Sequence, residues 1–139
     1  MLKKTAPLVL SLVLFFATAG LSQAVVMDFP HFTINVPEGW AASMEGDTVY
    51  LVAKDNSGSL AVTMARTEGR TVDQIVGGIV TDFDGSNLRL DGLVYTFTFM
   101  SGSIKHEAAV SVQGDVYALF ITSGENPAIE EMIDSIRNK

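Results

Sequence analysis

The chain has 139 residues, with 9 Lys and Arg against 16 Asp and Glu, a net charge of −7 and no cysteine. So acidic a balance argues against binding nucleic acid or anionic lipid surfaces through general electrostatics. The missing cysteine excludes disulfides, thiolate metal sites, thiol nucleophiles and a lipid-modified N-terminal cysteine, so a hydrophobic core alone must hold the fold.

The N-terminus reads as an export signal. Lys3 and Lys4 precede an apolar run from Ala6 to Ala19, and small residues at Ala17, Ala19, Ser22 and Ala24 offer two A-x-A-like cleavage sites. The apolar run is about 14 residues, short of the ~20 that cross a bilayer as a helix, and Ser22-Gln23 end it without a basic stop-transfer cluster. Residues 1–24 are therefore expected to be a cleaved signal peptide, with Ala24 preferred over Ala19 as the last residue removed. Residues 25–139 are expected to form a single domain, periplasmic or secreted, with no membrane span. Loss of the two lysines takes the net charge from −7 to −9.

Strand signals open the domain. Phe32 to Val36 alternates apolar and polar, Pro37-Glu38-Gly39 stops it, and Trp40 is expected to lie as a lid on the core. A short segment around Ala42, a strand Thr48 to Ala53 and a strand Ser59 to Arg66 are separated by Glu45-Gly46-Asp47 and Asp55-Asn56-Ser57-Gly58. Thr71-Val72-Asp73-Gln74 is a capping box, and Val72, Ile75, Val76, Ile79, Val80 and Phe83 then recur at helical spacing. Gly77 and Gly78 weaken that helix, so close approach of its backbone to a sheet is expected there.

Asp84-Gly85-Ser86-Asn87 ends the helix, and four strands joined by tight turns follow. Leu88 and Leu90 alternate before Asp91-Gly92. Leu93, Tyr95, Phe97 and Phe99 share one face of the next strand, with Val94, Thr96, Thr98 and Met100 on the other. His106, Ala108, Val110 and Val112 form a third face, and Val116 to Ile121 a fourth strand. A final helix is capped by Asn126, with Pro127 at its first position and Glu130 and Glu131 facing its positive end. Ile129, Met132, Ile133 and Ile136 form its apolar stripe, and Arg137 and Lys139 complement its C-terminus. Hairpins and two helices in this order predict an α+β fold, a mainly antiparallel sheet covered by two helices.

The motif Phe32-x-Ile34-x-Val36-Pro37-x-Gly39-Trp40, the element order, and Ile133-Asp134-Ser135-Ile136 in the last helix resemble the PsbP/Mog1/DcrB-like superfamily, closest in style to its bacterial exported members. That resemblance spans Phe32 to Arg137 and implies an αβα sandwich. It transfers no catalytic residues, since its members share none and are mostly non-enzymatic.

His31 and His106 would need to converge with carboxylates to serve as ligands or acid–base groups. Asp82-x-Asp84-Gly85-Ser86 fails as a calcium loop, because its first position would be Val80 and its twelfth Asp91. No Gly-x-Ser-x-Gly elbow and no phosphate loop is present. No cofactor, metal or catalytic set is expected. Trp40, Tyr95, Phe97 and His106 stand as a candidate ligand or partner surface. The expected function is a non-enzymatic binding domain of the bacterial envelope, its partner another envelope protein or component, with recognition in its hairpin turns. The second expectation is a carrier of a small apolar ligand held between sheet and helix.

Overall fold

In the computed structural model, residues 25–139 are described, and the signal peptide expected over residues 1–24 lies outside them. A seven-stranded antiparallel sheet runs in the order β3-β4-β5-β9-β8-β7-β6, built from β3 (Trp40–Glu45), β4 (Thr48–Ala53), β5 (Gly58–Arg66), β6 (Ser86–Asp91), β7 (Val94–Ser101), β8 (Ile104–Gln113) and β9 (Val116–Gly124). A second sheet of three strands has β2 (Phe32–Val36) between β1 (Val25–Asp28) and β10 (Arg137–Asn138). The helices are α1 (Val72–Phe83) and α2 (Ala128–Asp134). This is the α+β fold expected, with the four-strand meander β6–β9 intact.

Strand alternation decides which face each helix covers. Val62 of β5 pairs with Phe120 of β9, so both point to one face, and the adjacent Leu119 points to the other. On the first face, β2 and α2 pack Phe32, Ile34, Ile129 and Met132 onto Val49, Leu51, Leu60 and Val62. On the opposite face, α1 packs Ile75 and Val76 onto Phe97, Phe99, Val110 and Leu119. The first core sits under the β3-β4-β5 half of the sheet and the second under the β9-β8-β7 half. Each face is thus covered over one half only.

The capping box at Thr71 forms as expected: Gln74 N–H donates to Thr71 Oγ1 at 3.1 Å, and Thr71 N–H to Gln74 Oε1 at 2.9 Å. The expectation for Gly77 and Gly78 is not met. Both are exposed, and a Cβ built on either meets nothing within 4 Å. Ile75 and Val76 carry the packing instead, so the glycines face solvent rather than a sheet.

The second helix is shorter than its apolar stripe suggests. Pro127 occupies the N-cap position, and Asn126 acts from one residue earlier, its Oδ1 accepting from Ala128 N–H at 2.9 Å. The helix ends at Asp134, so Ile136 reaches the first core from beyond it. Arg137 Nη1 donates to the carbonyls of Asp134 and Ile136, the C-terminal complement expected of it. Lys139 instead forms an ion pair with Asp28. Gly124, at φ +80°, lets β9 turn against the β4–β5 loop, where any Cβ would collide with the Ser57 carbonyl. Among the described residues, no helix is long and apolar enough to cross a membrane.

Candidate functional site

The open half of the α2-side face forms a groove. Cross-strand register lays its floor in rows: Val94, Ser111 and Ala118; Thr96, Ala109 and Phe120; Thr98, Glu107 and Thr122. Small and hydroxylated residues dominate because no helix descends on this half. The α2 helix, entered through Glu125 and Asn126, forms one wall with Glu130 and Ile133. Arg89 of β6 lies toward the other side, Lys105 stands beside Glu107 on β8, and the groove measures about 1070 Å³. Asn87 Nδ2 donates to Thr98 Oγ1 at 3.2 Å, tying the edge strand to the floor.

A second recess of about 960 Å³ shares Ser111, Phe120 and Ile133 with the first, so the two run together along α2. Its rim carries His31, Arg66, Arg70 and Lys139. The two arginines are already engaged: Arg66 bonds Asp115 at 2.8 Å, and Arg70 lies over the Tyr117 ring while donating to the Thr67 carbonyl. The first groove mixes its charges, with Arg89 on β6, Lys105 and Glu107 together on β8, and Glu125 and Glu130 on the α2 side. Among the described residues, no group of three or more His, Asp or Glu could hold a metal ion.

The four candidate residues do not form one surface. Tyr95, Phe97 and His106 do lie together on the α1 face. Phe97 is 2% exposed, and His106 stacks on Phe99 with ring centroids 4.9 Å apart and planes 11° apart. The His106 Nδ1 atom is buried without a hydrogen-bond partner. Trp40, 8% exposed, belongs to the other core on the opposite face. A cleft under the helix rimmed by Trp40 is therefore not formed, because the space beneath α1 is filled by Ile75, Val76, Phe97 and Val110. The two histidines also separate: His31 is exposed at the second recess, and His106 lies on the far face.

The groove residues Thr96, Glu107, Ala109 and Ser111 are not among those the sequence reading singles out as a site. The signal was present in the other phase of β7 and β8, where Thr, Ala and Ser alternate with the aromatics. A strand face of that composition is one that no helix covers.

Comparison of the sequence with family models and with curated proteins gives no match. Among solved structures, the chain is similar to cyanobacterial PsbP (CyanoP) from Synechocystis sp. PCC 6803. The TM-score is 0.54 and the identity 12%, over 90% of this chain and 99% of that one. It is also similar to a protein from Bacteroides thetaiotaomicron VPI-5482, with TM-score 0.52 and 12% identity, over 85% of this chain and 48% of that one. The fold is PsbP-like.

Proposed function

We propose that this PsbP-like domain is an exported, non-enzymatic binding module of the bacterial envelope, and that its groove beside α2 receives a segment of another envelope protein. The observation that carries the proposal is the groove itself, about 1070 Å³ over a floor of mostly small and hydroxylated side chains with Glu107 among them. Its charges are spread unevenly: Glu125 and Glu130 favour a basic residue on the α2 side, Arg89 favours an acidic one at the β6 side, and Lys105 and Glu107 stand together on β8 between them. Phe120 and Ile133 offer an apolar seat between them. The floor is three hydrogen-bonded strands and so is set before the partner arrives, which lowers the ordering cost of binding.

The test is capture from envelope extract with three immobilised proteins. Ala109→Arg places a long side chain on the groove floor, and Thr81→Arg adds the same charge on the exposed side of α1. A partner retained by wild type and Thr81→Arg but lost by Ala109→Arg is the expected result. Equal capture by all three removes the groove reading.

A further inference from the structure

The two edges of the large sheet are unequal. At β6 the register shifts between Ser86 and Arg89, Asn87 sits at φ 60°, and Arg89 and Asp91 add charge. A bulge and charges of this kind block addition of another strand. The opposite edge, β3, reads Trp-Ala-Ala-Ser-Met-Glu, pairs continuously with β4, and has neither bulge, proline nor lysine.

Its free groups can be assigned. Lys54 N–H donates to the Gly39 carbonyl at 2.8 Å, so Gly39 and, by alternation, Ala41, Ser43 and Glu45 turn their main-chain groups toward β4. The N–H and C=O of Trp40, Ala42 and Met44 then point outward. Among the described residues, no strand pairs with that edge.

We propose that β3 joins β3 of a second copy of this chain, antiparallel, with Ala42 on the two-fold axis. In that register Trp40 faces Met44 and Ala42 faces Ala42 of the second copy, so every outward group is used and about six N–H···O=C bonds form. Side chains agree with this register on both faces. Met44, 39% exposed in the single chain, comes to lie beside the Trp40 indole of the other copy. On the opposite face, Ala41 meets Ser43, flanked by the exposed Val52 (43%) and Tyr50 (41%). Glu45 falls opposite Gly39, which has no side chain and open space around it. Behind that glycine stands Lys54, on the same face as Glu45 and about 10 Å away between Cα atoms, two strand spacings. The long side chains reach across the gap, and the two-fold axis repeats this attraction at the other end. A strand of another protein would meet the same backbone but not this reciprocal charge pattern. The joined edge lies across the sheet from the groove, so a dimer presents two grooves, both open.

Sedimentation velocity of the purified protein over a concentration series tests the dimer. Wild type is expected to shift from monomer to dimer, and Ala42→Pro, which deletes an outward N–H at the centre, to stay monomeric. Lys54→Glu is expected to raise the dimer Kd roughly tenfold, and Glu45→Lys with Lys54→Glu to restore it. Both charge positions are exposed, so these variants fold even if the proline variant does not. A wild-type monomer at all concentrations overturns the proposal, as does a dimer indifferent to the charge swap.

Discussion

The Asp55 carboxylate accepts two hydrogen bonds from Ser57, the hydroxyl at 2.6 Å and the main-chain N–H at 3.0 Å. The hydroxyl bond, then the N–H bond, hold its pKa below the ordinary aspartate value. A carboxyl depressed in the folded chain favours folding fully above its unfolded pKa, and that contribution fades as pH falls through the lowered value. Ser57 Oγ also accepts from Asn126 Nδ2 at 2.7 Å, linking the β4–β5 turn to the start of α2. In an NMR titration, Ser57→Ala is expected to move the Asp55 midpoint up toward the ordinary value. An unmoved midpoint would mean that Ser57 does not hold the carboxylate. Half of this arrangement is legible in the sequence, because Asp-x-Ser before a glycine is a local turn signal. The Asn126 link spans 69 positions in the chain, and no local pattern carries it.

Helix α1 combines a strong start with a weak middle. Thr71 and Gln74 cap each other, yet Gly77 and Gly78 follow within two turns on the solvent side. With open space at both positions, Gly77→Ala and Gly78→Ala are each expected to stabilise the protein by about 1 kcal/mol, read as a higher denaturant midpoint. A lowered midpoint would show that the helix needs its glycines. The capping box could be read from four residues because it is closed within four residues. The end of α2 could not. Ile136 keeps the helical spacing of Ile129 and Met132, and it still reaches the core after the backbone has left the helix. Nor does Arg137-Asn138 carry a strand signal; it pairs with β2 because the chain returns beside Thr33 and Phe32.

At the scale of the molecule, two cores lie on opposite faces of one sheet, joined by the nine-residue pairing of β5 with β9. Trp40 reports on the first core, and Phe97 lies in the second. Phe97→Ala is expected to cost about 3–5 kcal/mol. If the sheet couples the cores, the unfolding midpoint read by Trp40 fluorescence moves as far as that read by far-UV circular dichroism. A fluorescence transition left in place would make the cores separate folding units. Alternation in the sequence shows which positions of each strand are apolar. It does not show on which side of a shared sheet they point, so it cannot separate Trp40 from Tyr95, Phe97 and His106 on the opposite face.

Half-coverage on opposite faces also sets a rhythm for tolerance to change. From β4 to β5 the residues that resist polar replacement lie on the α2 side, including Leu51, Leu60 and Val62. Across the β5–β9 seam the sensitive set moves to the other side, to Leu119, Val110 and Phe97. A substitution map would therefore resemble a checkerboard whose black and white squares exchange places halfway across. The seam where they exchange, rather than any loop, divides the molecule.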